Sequence, residues 1–273
     1  MARWNQLLST LAQSLPDPSP RSRGKEQAEP VEAAKLATIP NRVSISHEDV
    51  ARPVNRLLIR LGEHITVVGM TGSGKTYFAV KGLLEYMRRQ YPHAKRYVID
   101  STGDPDLPSM LHSPLIVRGN SPPGRLKHPT YTLVWTPDNS KIPASYATFF
   151  DRLNDAREPT ILLIDETASI TAEAEEALET LLKQMRKHGG TCICLTQQIA
   201  AVDGTLFRQM SHFFQFLIQN EVYDQARARS YLNLSKEEHH QPRWEHGFFH
   251  RRTRGIETAR EYRDMRDFFG HLI

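Results

Sequence analysis

From about residue 50 onward the apolar positions fall into two alternating rhythms. Short apolar runs of strand length occupy His64–Gly69, Arg96–Asp100, Leu115–Arg118, Tyr131–Trp135, Thr160–Asp165, Thr191–Thr196 and His212–Leu217. Between them lie Lys75–Gln90, Ala144–Ala156, Ala172–His188 and Tyr223–Leu232, where apolar residues recur at the period of a helix with one covered face. Strands that alternate with helices are joined by crossovers, which predicts an α/β fold with a central, mainly parallel sheet and helices on both faces. The run Ile161-Leu-Leu-Ile164 is apolar at every position, as a central strand covered on both faces requires. No internal repeat is visible. Beyond Leu232 the stretches Trp244–Arg254 and Glu257–Arg263 predict a hairpin turning near Gly255.

The first 45 residues follow neither rhythm. Trp4, Leu7, Leu8 and Leu11 have the spacing of a short amphipathic helix, and Pro16, Pro18 and Pro20 then break regular structure. The chain therefore divides into a flexible arm over 1–45, a core over 46–235 and a basic extension over 236–273 that carries Arg251, Arg252, Arg254, Arg260 and Arg263.

Composition narrows the class. The 273 residues are 39% hydrophobic and 24% charged, ordinary for a globular chain. No apolar run reaches the ~20 residues of a membrane span, so no stable membrane insertion is expected. The N-terminus has no continuous apolar segment of secretory type. A net charge of +4 is too small to identify a nucleic-acid partner unaided. Cys192 and Cys194, two apart on one strand, point to one face and read as buried packing in a reducing compartment. His239, His240, His246 and His250 lie among Glu237, Glu238 and Glu245, but without a recognised metal-ligand spacing.

The chemistry is concentrated at strand ends. Gly69-Met70-Thr71-Gly72-Ser73-Gly74-Lys75-Thr76 fits the phosphate-loop pattern G-x-x-x-x-G-K-[ST], between an apolar strand and the helix that begins near Lys75 and continues through Tyr77. Glycines let successive N–H groups point at phosphates, and the helix presents its positive end to the same charge. Lys75 is expected on the β- and γ-phosphates of ATP and Thr76 on Mg2+. Asp165, ending the ILLI strand, is the second expected metal ligand; Glu166 beside it is the expected base for the attacking water. Gln197 ends the strand Thr191–Thr196, where an amide can sense the γ-phosphate. Arg186, near a helix end, is a candidate arginine finger, with Arg208 and Arg227 as competitors.

The order of these motifs (phosphate loop, Ile164-Asp165-Glu166, Arg186-Lys187-His188-Gly189, then Leu195-Thr196-Gln197) resembles the FtsK–HerA superfamily of ring-forming DNA motors, over about residues 60 to 220. The resemblance implies a RecA-like P-loop NTPase in which Lys75, Thr76, Asp165, Glu166 and Gln197 act within one subunit. It implies that Arg186 acts across a subunit boundary of a homo-oligomeric, hexameric ring. Without a membrane span or room for an N-terminal barrel, the chain is most similar to the compact genome-packaging ATPases of membrane-containing icosahedral viruses. That likeness implies translocation of double-stranded DNA without sequence preference, docking on a portal or capsid vertex protein, and a place in the host cytoplasm or at the packaging vertex of a virion. Asp104–Leu111, Arg118–His128 and Asp203–Arg208 are the candidate DNA loops. An ATP-dependent assembly or switch protein and a conjugative DNA-transfer ATPase are the alternatives.

Overall fold

The computed structural model describes residues 58–138, 143–170, 172–202, 204–219, 221–253 and 258–270. The expected N-terminal arm and the hairpin turn at Gly255 lie outside these residues.

Nine strands form one sheet in the order β3-β4-β2-β5-β6-β1-β7-β8-β9. They are β1 (His64–Val68), β2 (Lys95–Ile99), β3 (Pro114–Arg118), β4 (Thr132–Thr136), β5 (Thr160–Ile164), β6 (Thr191–Thr196), β7 (Met210–Gln215), β8 (Phe248–Arg252) and β9 (Arg260–Tyr262). The pairs from β3 to β7 are parallel. β8 and β9 extend the sheet antiparallel beyond β7, so the stretch after residue 236 supplies two of its strands. All five residues of both β1 and β5 are buried, so β5 reads as the apolar run Ile161–Ile164, and β1 buries His64 and Thr66 beside Ile65, Val67 and Val68.

Successive side chains along each strand separate into two cores, one per face. On one face Ile65, Val67, Leu163 and Ile193 pack with Phe78, Leu83, Phe248 and Phe268. On the other, Leu162, Ile164, Cys192 and Cys194 meet the helices Pro143–Ala156 and Ala172–Lys187 through Phe149, Phe150, Leu178 and Leu182. The two cysteine sulfurs lie 3.5 Å apart inside this second core as free thiols.

The segment expected as one α-helix over Lys75–Gln90 is helical throughout but not uniform. An α-turn at Lys75–Tyr77 passes into a π-helical stretch at Phe78–Leu84, and α-geometry resumes at Glu85–Gln90. The wider turn surrounds Gly82. A Cβ added there would lie 2.8 Å from Met265 Sδ and 2.9 Å from the Phe269 ring. Apolar periodicity alone does not report such close packing by a helix distant in sequence, Met265–Phe269. Short helices at Leu107–Met110 and Gly204–Gln209 and a 3-10 turn at Thr167–Ser169 likewise fall below the length at which a period can be read.

Candidate active site

The parallel strands deliver their C-terminal ends to one rim of the sheet, the usual place for a ligand in an open α/β fold. β1 runs into the glycine loop. Gly69 N–H donates to the Thr196 carbonyl at 3.2 Å and Met70 N–H to the Leu217 carbonyl at 2.7 Å, so the loop is held from β6 on one side and from the end of β7 on the other. Gly69 admits no side chain, because a Cβ would stand 2.5 Å from Ser73 Oγ. Gly72 and Gly74 have φ of +81° and +89°, left-handed values that favour glycine. The Ser73 hydroxyl is buried without a hydrogen-bond partner among the described residues, and its N–H closes back on the Met70 carbonyl at 3.2 Å. Phe78 N–H donates to the Gly74 carbonyl at 2.9 Å and starts the helix. Tyr77, by contrast, is 55% exposed at the rim.

β5 brings the acids. β6 lies between β1 and β5, so the interposed strand comes later in the chain than both and carries Gln197 at its end. Lys75 and Asp165 are buried. Thr76 Oγ1 donates to Asp165 Oδ1 at 3.3 Å, and Thr102 Oγ1 donates to Asp165 Oδ2 at 2.8 Å. Glu166 accepts from Ala168 N–H at 3.3 Å and from Gln197 N–H at 3.2 Å. Thr71 Oγ1 donates to Gln197 Oε1 at 3.0 Å, which closes a ring of contacts from loop to β6 to β5. Lys75, Thr76, Asp165, Glu166, Gln197 and the loop line one cleft of about 570 Å³.

Burial sets the electrostatics. It lowers the Lys75 pKa, opposed by the charges of Glu166 and Asp165. It raises that of Asp165, opposed chiefly by the Thr102 hydrogen bond and by Lys75. Glu166 is raised in the same way, opposed by bonds from Thr196, Ala168 N–H and Gln197 N–H and by Lys75. Two desolvated carboxylates face one ammonium, a site that favours further positive charge. Among the described residues no group of three or more His, Cys, Asp or Glu gathers around a possible metal. The oxygens of Thr76 and Asp165 are few and hard, the donor set of an Mg2+ that completes its shell with water and phosphate oxygens.

The structure also brings in residues that the motifs did not mark. Asp100, at the end of β2, accepts from Asp104 N–H at 3.0 Å and from Thr136 Oγ1 at 3.1 Å, and its Oδ1 lies 3.4 Å from Thr102 Oγ1, whose proton goes to Asp165. This cluster holds Thr102 and Asp104 in the cleft wall. The signal was present in Tyr97-Val-Ile-Asp100, an apolar strand ending in an acid just as Leu162-Leu-Ile-Asp165 does.

Arg186 lies elsewhere. Its Nη2 donates to the carbonyl of Gln209, immediately before β7, and its carbonyl oxygen is 3.3 Å from the Cβ position of Gly62, before β1. It therefore stands at the N-terminal ends of the strands, remote from the loop of its own chain. Arg208 donates to Thr205 Oγ1 at 2.8 Å, and Arg227 donates to the carbonyls of Ile199 and Val202, both at 3.3 Å. The histidines scatter as well. His239 meets Gln215 Oε1 at 3.0 Å, His240 the Gln241 carbonyl at 2.7 Å, and His250 the ring of His212 at 3.0 Å, whereas His246 approaches the phosphate loop.

Sheet order, glycine loop and paired acids together define the fold as that of a P-loop NTPase. The chain is similar in fold to the DNA-packaging ATPase from Sulfolobus Turreted Icosahedral Virus, with a TM-score of 0.53 and 16% identity over 76% of this chain and 99% of that one. It is also similar to the genome-packaging NTPase of Sulfolobus turreted icosahedral virus 2. The sulfate complex of that protein gives a TM-score of 0.54 at 15% identity, over 76% of this chain and 98% of that one. Its complex with AMPPCP gives a TM-score of 0.54 at 13% identity, over 76% of this chain and all of that one. The expected P-loop NTPase fold, a mainly parallel sheet with helices on both faces, is thereby met. No protein-family model and no curated protein matches the sequence. Among the described residues no helix is long and apolar enough to cross a membrane.

Proposed function

We propose that this protein is an ATPase that couples hydrolysis to translocation of double-stranded DNA, of the kind that packages viral genomes. The observation that carries the reading is the convergence of Lys75, Thr76, Asp165, Glu166 and Gln197 on one cleft at the carboxyl rim of the sheet. Fold similarity to a DNA-packaging ATPase and a genome-packaging NTPase of viruses supports the DNA substrate.

In this mechanism the loop N–H groups and Lys75 hold the phosphates, and Thr76 and Asp165 hold Mg2+. The metal, when bound, neutralises charge developing on the transferred phosphoryl group. Thr102 fixes the Asp165 carboxylate through its second oxygen. Glu166, anchored through Ala168 and Gln197, directs a water toward the γ-phosphate and takes its proton. Because Glu166 accepts the Gln197 N–H while the Gln197 side chain accepts from Thr71, a change at the γ-phosphate is felt along β6. In a ring of subunits Arg186 would serve a neighbour's site only by exchanging its bond to the Gln209 carbonyl on the opposite rim.

Steady-state ATP hydrolysis with and without long double-stranded DNA tests the reading, at low salt because phosphate-based grip weakens as salt rises. Glu166→Gln supplies the blank. DNA stimulation that vanishes in the variant is the expected result. Hydrolysis indifferent to DNA overturns the motor and favours the assembly or switch protein.

A further inference from the structure

A separate cleft, of about 430 Å³, runs along the outer side of the phosphate-binding helix and shares only Tyr77 with the first. One wall is that helix, through Lys81, Glu85, Arg88 and Arg89. Facing it are Met110 and Leu111, before β3, and Met265 and Arg266 of the last helix. Arg96 of β2 and Thr132 of β4 close it from the sheet. Five cations, Lys81, Arg88, Arg89, Arg96 and Arg266, thus meet one carboxylate, an excess of four positive charges. That carboxylate is already taken, because Glu85 accepts from Arg88 at 2.7 Å and from Arg89 at 2.9 Å. Arg96 is the unusual member. It is 2% exposed, and its hydrogen bonds go to neutral acceptors: the Thr132 hydroxyl at 3.3 Å and the carbonyls of Ala94 at 3.2 Å, Tyr131 at 3.4 Å and Pro129. Among the described residues no carboxylate forms an ion pair with Arg96, Lys81 or Arg266.

We propose that this cleft is an oxyanion site, separate from the nucleotide cleft, that takes phosphate groups. The proposal does not rest on the reading of the first cleft, because neither the glycine loop nor Asp165 or Glu166 lines this one. A buried cation without a counter-charge is unfavourable, and an anion in the cleft would relieve it. The excess of four charges is more than one carboxylate would balance. A phosphate group brings up to two negative charges and several acceptor oxygens at once. Guanidinium forks meet such oxygens two at a time, and the Lys81 ammonium adds a point charge. The site is also graded in depth. Arg96 is held in place at the sheet by its neutral partners, Lys81 is half-buried, and Arg266 is exposed at the mouth. Phosphate oxyanions of this kind have two sources: free inorganic phosphate or pyrophosphate, and the phosphodiester backbone of a nucleic acid laid across the mouth. Either occupant would sit on the same helix whose first turn carries Lys75 and Thr76.

The test uses the full chain carrying Lys75→Ala, which disables the glycine loop so that phosphate bound there does not mask the second site. Pyrophosphate binding is measured by calorimetry, and binding of a labelled duplex of about 30 base pairs by fluorescence anisotropy over a salt series. Adding Lys81→Ala and Arg266→Ala together is expected to weaken at least one probe by about tenfold, with the melting temperature unchanged. A duplex salt slope lower by about two, one for each cation removed, identifies the phosphodiester backbone as the source. Loss of pyrophosphate binding with duplex binding unchanged identifies the free oxyanion. Arg96→Met is expected to abolish the same binding, and the surface pair carries the test alone if that buried change unfolds the chain. Unchanged binding of both probes in the surface variant overturns the proposal, as does failure of both to bind the Lys75→Ala chain. Polyglutamate bound as tightly as the phosphate probes, and lost in the same variant, overturns the phosphate assignment in favour of an acidic peptide.

Discussion

The parallel part of the sheet and its antiparallel edge solve different problems. From β4 to β7 the strands are covered on both faces, and their chemistry sits at one rim, one strand end at a time: Gly69, Asp100, Asp165 and Gln197. The edge strands β8 and β9 are only partly covered, and what they contribute is side-chain packing. Phe248 stacks on Phe78, Phe214 and Phe216 with ring centroids 4.7 to 5.7 Å apart, so an edge strand reaches the first turns of the phosphate-binding helix. In the parallel part, position along a strand decides function; at the edge, contact with a distant helix does.

The sharpest way to break this contrast is to remove chemistry from the rim while sparing packing. Glu166→Gln is expected to lower the ATP turnover number by roughly 100- to 10,000-fold, the contribution of a positioned base, with ATP affinity kept. Single-turnover hydrolysis alongside equilibrium binding checks it. A loss of binding instead would make Glu166 a structural anchor of the Gln197 segment.

The converse change removes packing from the edge. Phe248→Ala is expected to cost about 3–5 kcal/mol, the usual range for a buried phenylalanine. Chemical denaturation should then show one transition shifted as a whole, because Phe248 and Phe78 share a core. An unchanged main transition would mean that the edge folds independently of the parallel part.

Acid separates the two parts more gently. At the junction of β7 and β8, His250 Nε2 meets His212 Nδ1 at 3.0 Å, and His212 Nε2 meets Glu63 Oε2 at 3.2 Å, with Arg252 on the other carboxylate oxygen. These contacts make a buried relay from His250 through His212 to Glu63. Burial, followed by the charges of His212 and Arg252, lowers His250 from 6.5 to about 3. Burial raises Glu63, but the hydrogen bonds from His212, Arg60 N–H and Arg252 outweigh it and hold the carboxyl at about 2. Below pH 6.5 the unfolded chain takes a proton at His250 that the folded chain refuses until about pH 3. The stabilisation from Glu63 is fully present above pH 4.5 and is lost between there and about pH 2. Both act in one direction: thermal stability should fall as pH drops from 6.5 toward 3, and His250→Gln should flatten the upper part of that decline. A pH-independent melting temperature across this window would refute the buried relay.

The smallest expected effect belongs to Thr102. Thr102→Val removes one hydrogen bond to Asp165, worth about 1 kcal/mol, so Mg2+ affinity in the presence of ATP should weaken by several-fold. An unaltered metal titration would show that Thr76 and Lys75 suffice to orient Asp165.

Legibility in the sequence followed the same division. β6 matches its expected bounds and β1 and β5 match within one residue, because buried parallel strands are short, mostly apolar and β-branched segments bounded by polar or glycine-rich turns. The phosphate loop was legible because glycine spacing is a local constraint on φ. His246 and Asp264 carried no local mark as neighbours of Gly74 and Tyr77, since their meeting depends on an antiparallel return of the chain. Thr102 was missed because its role depends on a carboxylate 63 residues away.

The π-helical stretch has a mechanical consequence. With Gly82 forming a notch into which Met265 and Phe269 fit, the phosphate-binding helix is keyed to the last helix much as a shaft is keyed to a wheel. Rotation of the first about its own axis would drive those side chains out of the notch. The two helices are thereby locked against independent rotation, and a displacement of the phosphate-binding helix carries Met265–Phe269 with it.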